Sequence, residues 1–196
     1  MKKVGVIIAI LVGVIGFVLG VTGIGEKFIK GDNSKIENGY FVNNAHKLKF
    51  LVPNEWYYKE LKDNKSFKVL FAKNTPIENE DDLARMKRSF PNILVDFREY
   101  KGSSLEKITN DYLQANKDKV KIESKIDRKI ADTPAKELIA TADMSMKYGN
   151  LGAMKTKQIF IYKNGILYNL IFMDFSDKFE EDVREYDKLI SSLILY

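Results

Sequence analysis

The sequence predicts an α+β protein: an α/β/α sandwich with a mostly antiparallel sheet, preceded by one N-terminal transmembrane helix. Residues 4–24 are uncharged and long enough to cross a bilayer as a helix. From Tyr40 onward, short stretches of alternating apolar and polar residues are separated by turn residues, which is typical of antiparallel strands. Two segments with apolar residues at helical spacing, 103–119 and 179–193, can cover such a sheet.

The apolar run Val4–Ile24 follows Lys2 and Lys3. Signal peptides usually have about 7 to 15 apolar residues and end at an A-x-A-like site, whereas this run is longer and offers no good site. We therefore expect an uncleaved anchor over residues 1–25, with a cleaved signal peptide as the alternative. Because short lysine-bearing tails tend to stay in the cytoplasm, we expect a single-pass protein of the cell membrane whose C-terminal domain is extracytoplasmic.

Small residues line one side of the apolar run. Their spacings of three and four residues place them on one helix face and include a GxxxG element, which lets two helices approach closely. This pattern predicts a helix-packing face and allows a homo-oligomer through the anchor, although glycine and alanine are also common in membrane helices generally. The predicted packing face consists of Gly5, Ala9, Gly13, Gly16, Gly20 and Gly23.

Composition excludes several classes of function. The formal net charge of +5 includes Lys2 and Lys3, so the exported part is only weakly basic, with both signs interleaved. Nucleic-acid binding normally requires a concentrated basic face, and no nucleic-acid partner is expected. The absence of cysteine excludes disulfides, thiolate nucleophiles and cysteine metal sites.

Residues 26–39 are polar and glycine-punctuated, which predicts a linker that spans on the order of 20 Å if flexible. The domain of residues 40–196 then begins with strands in YFV and KLKFLVP, joined by the turn NNAH. Leu48, Phe50 and Val52 alternate onto one face. The segments WYYKE and SFKVLFAK continue this β-meander.

A short helix is predicted within residues 74–91, where acidic residues precede basic ones in agreement with the helix dipole. A strand at 92–100 follows. Ser103 and Glu106 then form an S-x-x-E capping box, which predicts a helix that begins at Ser103. The buried stripe of this helix is predicted to contain Leu105, Ile108, Tyr112 and Leu113.

Four further extended segments complete the predicted sheet of about six to eight strands: VKIESKIDRKI, PAKELIATADM and the two halves of KQIFIYKNGILYNLIFMDF. Asn164-Gly165 is a strong signal for a type I′ hairpin turn. Apolar residues on both faces of 166–172 indicate a central strand that is covered on each side. A C-terminal amphipathic helix follows from Phe179. The predicted core consists of Phe50, Trp56, Phe71, Phe97, Tyr112, Phe160, Leu170, Phe172 and Ile190.

This order of elements resembles the PsbP fold family over essentially residues 40–196. The resemblance is carried by the F-x-V-P-x-x-W segment from Phe50 to Trp56 and by the terminal Ile190-Ser-Ser-Leu193. It implies an antiparallel sheet with helices on both faces, a fold used for docking onto other proteins in plant photosystem II. No functional residue of the family can be matched to this sequence.

Residues that carry catalytic chemistry are scarce. His46 is the only histidine and is expected to be a solvated turn residue, so neither a Ser-His-Asp triad nor a zinc site is predicted. Asp174 and Asp177 form a carboxylate pair of a kind that arises often by chance. The acidic residues at 78–82 lack the pattern of an EF-hand loop. We therefore predict no catalytic residues, no metal ligands and no cofactor.

The segment 143–155 is long for a hairpin connection and rich in methionine, which is typical of an adaptable apolar binding surface. A plain loop, or packing of these methionines into the core as gap fillers, is the more ordinary interpretation, and Met-x-Met is also a soft ligand pattern for copper(I). We expect a non-catalytic docking or accessory subunit with an envelope protein partner; the alternatives are a small-ligand or ion-binding protein and, less favoured, a hydrolase. Asn64 lies in a glycosylation sequon that matters only in a glycosylating host. The candidate partner contacts are Met144, Met146, Tyr148 and Met154.

Overall fold

The computed structural model describes residues 34–61, 67–74, 84, 87–100, 103–143 and 152–196. These residues include two complete helices and eleven strands, and the strands form two sheets. In chain order the elements are β1 (Ser34–Glu37), β2 (Tyr40–Asn43), β3 (Leu48–Leu51), β4 (Tyr57–Glu60), β5 (Val69–Ala72), β6 (Asn92–Glu99), α1 (Leu105–Asn116), β7 (Lys121–Ile130), β8 (Thr133–Asp143), β9 (Ala153–Lys163), β10 (Ile166–Phe175), α2 (Phe179–Ser191) and β11 (Ile194–Leu195).

The large sheet has the order β4-β5-β6-β10-β9-β8-β7, and every neighbouring pair is antiparallel. The predicted central strand is confirmed, because β10 occupies the middle of this order and its residues 167–174 are all buried. The predicted hairpin turn is confirmed as well. Asn164 and Gly165 have φ values of 52° and 78°, as a type I′ turn requires.

Helices cover both faces of the large sheet, as predicted. Alternate residues of β10 point to opposite faces, with Leu170 and Phe172 packed beneath α2 and Leu167 packed beneath α1. Tyr186 of α2 is fully buried and its hydroxyl donates a hydrogen bond of 2.8 Å to the carbonyl oxygen of Leu170. This bond satisfies the one polar group that the Tyr186 side chain brings into the core.

A second, smaller sheet with the order β1-β2-β3-β11 packs on the α2 side of the large sheet. Phe41 joins the two, since its ring lies 4.9 Å from that of Phe50 in β3 and 6.1 Å from that of Phe71 in the large sheet. The large sheet has seven strands, within the expected six to eight, but the second sheet was not predicted. The linker predicted over 26–39 also ends earlier, because Ser34–Glu37 pairs with β2 as an edge strand.

Helix α1 begins one residue later than the capping box predicts. Ser104 is the N-cap, and its hydroxyl oxygen accepts a hydrogen bond of 3.2 Å from the backbone N–H of Lys107. Glu106 does not close a capping box with Ser103, since its carboxylate reaches out to Lys125 and Lys136 instead. The predicted stripe is nevertheless buried at Ile108 and Tyr112 and half-buried at Leu105 and Leu113.

Most of the predicted core is buried, but Trp56 and Ile190 are only partly buried at its edge. Ala84, Lys87 and Arg88 are helical within the helix predicted for 74–91, and the rest of that prediction lies largely outside the described residues. In the described part of the chain, no helix is both long and apolar enough to cross a membrane. The predicted anchor, its face of small residues and Asn64 lie outside that part.

Candidate functional site

The predicted contact segment is the connection between β8 and β9. Met144, Met146 and Tyr148 lie outside the described residues, whereas Met154 lies in β9. The side chain of Met154 is buried against Leu94, Ile171 and Met173. Met154 therefore fills space in the core, as the alternative interpretation of these methionines proposes, and it is not part of an exposed contact surface.

We use the term "loop end" for the end of the large sheet at which Asp143 of β8 pairs with Ala153 of β9. The start of α2 lies at the same end, because the backbone N–H of Ser176, three residues before α2, donates a 3.0 Å hydrogen bond to the carbonyl oxygen of Ala153. The last residues of β10 and the first turn of α2 therefore lie beside the β8–β9 connection.

A pair of aspartates is buried at the loop end. Asp174, the penultimate residue of β10, is fully buried, and Asp182 in the first turn of α2 is nearly so. Burial first, and to a smaller extent the nearby carboxylate of Asp182, raise the pKa of Asp174 to about 6 against the lowering effect of the Phe175 backbone N–H. The carboxyl group of Asp174 therefore binds a proton more readily than an ordinary aspartate does.

Lys73, which follows β5, completes this cluster. Its Nζ lies 2.7 Å from Oδ1 of Asp182, and this contact raises the pKa of Lys73. The lysine thus compensates one of the two carboxylates, while Asp174 receives a single hydrogen bond of 2.8 Å from the backbone N–H of Phe175. Two negative charges and one positive charge remain when both aspartates are ionised.

A second charged group lies beside the first. Nζ of Lys155 lies 3.0 Å from the carboxylate of Glu180 and 3.3 Å from that of Glu123. The hydrogen bond to Glu180 raises the pKa of Lys155, and the hydroxyl of Thr141 lowers the pKa of Glu123. These ion pairs join β7, β9 and α2 across the loop end.

Sequence analysis noted Asp174 only together with Asp177, as a pair of a kind that arises by chance, and did not identify Asp182 as its neighbour. Asp177 is exposed, and Asp182 approaches Asp174 only because α2 folds back onto β10. No sequence signal identifies this pair, because the turn of residues 176–178 determines which carboxylate returns to the sheet. Among the described residues, no group of three or more histidine, cysteine or acidic side chains is arranged to hold a metal ion.

A cleft of about 360 Å³ lies between the C-terminal half of α2 and the β7–β8 hairpin. Glu137 is buried beside the cleft, and its carboxylate contacts the guanidinium group of Arg128 through both oxygens. Nε of Arg128 lies 2.8 Å from Oε2, and Nη2 donates a hydrogen bond of 3.1 Å to Oε1. Lys157 lies 2.6 Å from Asp187 and 3.8 Å from Glu137. The charges that line the cleft therefore pair largely with one another.

His46 is not the solvated turn residue that the sequence predicts, because only 8% of it is exposed. The turn after β2 folds over the large sheet, so that the imidazole ring lies 4.7 Å from that of Phe97. The backbone N–H of His46 donates a 2.7 Å bond to Oδ1 of Asn43, and its carbonyl oxygen accepts one of 2.7 Å from the hydroxyl of Tyr168. His46 is thus a buried structural residue.

No protein-family model and no curated protein sequence matches the chain. Solved structures do match it in fold. The solution structure of cyanobacterial PsbP from Synechocystis is 14% identical in sequence and matches with a TM-score of 0.56. The matched region covers 90% of this chain and 96% of that one. The chain has a PsbP-like fold. The expected resemblance is therefore confirmed for the fold.

Two further proteins share the PsbP-like fold. LpqN of Mycobacterium tuberculosis, described as involved in cell envelope biogenesis, is 13% identical with a TM-score of 0.54, covering 76% of this chain and 82% of that one. A Bacteroides thetaiotaomicron protein is 12% identical with a TM-score of 0.53 over 82% of this chain. The match spans 49% of the Bacteroides chain, so this fold corresponds to about half of that protein.

Proposed function

We propose that this protein is a membrane-tethered, extracytoplasmic accessory module that docks onto another envelope protein without catalysing a reaction. The observation that carries the proposal is the position of the PsbP-like fold in the chain. Its first strand begins at Ser34, and only nine residues, 25–33, separate it from the apolar run that ends at Ile24. A run of that length is typical of a membrane span, and a short polar connection would hold the domain near the bilayer.

The fold comparisons agree with an envelope role, since LpqN is described as involved in cell envelope biogenesis. The chemistry at the loop end favours a structural role over a catalytic one. The carboxyl group of Asp174 is fully enclosed, and that of Asp182 is engaged by Lys73. A general acid or base has to reach its substrate within hydrogen-bond distance, and an enclosed carboxyl group does not.

The topology is tested by cysteine labelling of intact cells, because the chain contains no native cysteine. Single-cysteine variants Asp177→Cys and Lys2→Cys place one thiol in the domain and one in the N-terminal tail. We expect a membrane-impermeant maleimide to label position 177 in intact cells and position 2 only after lysis. Labelling of neither position before lysis would place the domain in the cytoplasm and refute the proposal.

Docking is tested by photo-crosslinking in native membranes. A photoreactive residue in place of Tyr148 probes the predicted contact segment, and the same residue in place of Gln114, on α1, serves as the matched control. We expect one protein to be captured from position 148 and not from position 114. Equal background at both positions would remove the contact segment from the proposal.

A further inference from the structure

The outer face of the small sheet carries an unusual share of exposed apolar surface. Leu51, Ile194 and Tyr196 are 41%, 47% and 50% exposed, and they are among the few large apolar side chains exposed in the described residues. Leu51 ends β3, Ile194 begins β11, and Tyr196 directly follows β11. These residues form one patch on neighbouring strands, because β3 and β11 pair directly.

Strand register assigns this patch to the outer face. Residues directly opposite each other in an antiparallel pair lie on the same face. Lys49 pairs with Ile194, and Tyr40 pairs with Leu51. The residues that alternate with them, including Phe50 and Leu195, belong to the core that is shared with the large sheet. In β2, β3 and β11 the inner face is therefore buried and the outer face is partly apolar, whereas Ile36 on the inner face of the edge strand β1 is exposed.

The outer face is also positively charged. Lys35 of β1 and Lys49 of β3 lie on this face, because they pair with Val42 of β2 from its two sides. Lys47 lies in the turn before β3. Nζ of Lys49 lies 4.4 Å from the centre of the Tyr40 ring. Glu37 is the acidic residue of β1 on this face, and it pairs with Lys35 at 2.8 Å. Lysines beside tyrosine and aliphatic side chains are typical of surfaces that meet lipid headgroups.

The chain enters the fold through this same sheet. Ser34 begins β1, and the residues that connect it to the apolar run, 25–33, reach at most about 30 Å when fully extended. A domain held this close to the bilayer meets the membrane at high local concentration, so a weak surface affinity suffices for contact.

We propose that the outer face of the small sheet, formed by Lys35, Tyr40, Lys49, Leu51 and Ile194, binds the surface of the membrane through anionic lipid headgroups. This inference rests on the membrane tether of the proposed function. It orients the domain with the small sheet toward the bilayer and the large sheet away from it, which leaves the α1 side exposed to the aqueous phase.

The test uses the full chain, reconstituted into phosphatidylcholine vesicles that contain about one-third phosphatidylglycerol and a headgroup-labelled quencher lipid. Ile194→Cys, labelled with a fluorophore, reports on the outer face, and Gln114→Cys reports on α1. We expect quenching at position 194 and not at position 114. Vesicles of phosphatidylcholine alone, or high salt, should abolish the difference because the attraction is electrostatic.

Charge removal provides the matched comparison. Each lysine near an anionic surface is worth about 1 kcal/mol, so Lys35→Gln with Lys49→Gln should lower the ratio of docked to undocked domain by about 30-fold. Lys117→Gln with Lys121→Gln, at the end of α1 and the start of β7, removes the same charge and should leave quenching unchanged. An equal effect of both double variants would overturn the proposal.

Vesicle flotation separates the two levels of inference. Loss of flotation refutes the tether and with it the proposed function. Flotation without quenching at position 194 refutes membrane docking alone. Membrane docking would also be overturned if position 194 were protected from a soluble quencher but not quenched by the labelled lipid. If that protection increased with the density of protein in the vesicles, the occupant of the face would be a second copy of the chain. If the protection did not change with protein density, the occupant would be residues 25–33 of the same chain.

Discussion

Replacing Asp174 by asparagine is expected to stabilise the protein at neutral pH. The Asp174 carboxyl group is fully buried beside Asp182, and both burial and the neighbouring carboxylate favour its protonated form. Asparagine has nearly the same shape, its oxygen can still accept the backbone N–H of Phe175, and its amide can donate to Asp182. The substitution thus removes a buried charge without opening a cavity.

The size of the effect follows from the pKa of Asp174. A folded-state pKa of about 6 against an ordinary value of 3.8 corresponds to about 3 kcal/mol at pH 7. Because this pKa is raised, the folded state binds the proton more tightly than the unfolded state. The wild-type protein should therefore gain stability from this group as the pH falls from about 7 to about 4, and the variant should lack that gain.

Urea unfolding, followed by circular dichroism at about pH 7.5, 6 and 4.5, measures the free energy of unfolding of both proteins. We expect Asp174→Asn to be more stable by about 2 to 3 kcal/mol at the highest pH and to approach the wild type at the lowest. Asp177→Asn, three residues further on and exposed, is the control and should change stability by less than about 0.5 kcal/mol. A variant that is less stable than the wild type at pH 7.5 would refute the reasoning.

Three further predictions concern the fold and the anchor. Ser104→Ala should lower the free energy of unfolding by about 1 kcal/mol through loss of the N-cap of α1, whereas Ser103→Ala should be nearly neutral. If urea unfolding showed the larger loss for Ser103→Ala, Ser103 would be the N-cap, as the capping box predicts. Phe172→Ala should cost about 3 to 5 kcal/mol by opening a cavity beneath α2, and a cost below about 1 kcal/mol in the same assay would contradict its place in the core. N-terminal sequencing of the native protein should find residues 1–25 retained, and a mature chain that begins between Thr22 and Lys27 would show cleavage.

The features that sequence predicts well here are local ones. The strand periodicity, the Asn164-Gly165 turn and the doubly apolar segment 166–172 each depend on residues close together in the chain, and all are confirmed. The second sheet was missed because β3 completes it with β11, a strand of only two residues from the other end of the chain. Pairing over such a distance leaves no periodic signal in either segment.

The candidate site shows the same division. Asp174 is recognisable as a carboxylate near the end of a hairpin, but its partner Asp182 depends on the path of the turn before α2. His46 looks like a solvated residue in a polar turn and is buried by tertiary packing against Phe97. The spacing of residues along the chain does not predict roles that depend on contacts between elements far apart in the sequence.

The closure of the small sheet by β11 also constrains how the domain can mature. β11 pairs with β3, and the backbone N–H of Tyr196 donates a 3.2 Å bond to the carbonyl oxygen of Lys47, so residues 194–196 contact a part of the chain made long before them. During synthesis or export, β1–β3 emerge first and β3 stays without this neighbour until α2 has followed. A chaperone that shields extended segments would have its clearest substrate at β3 in that interval.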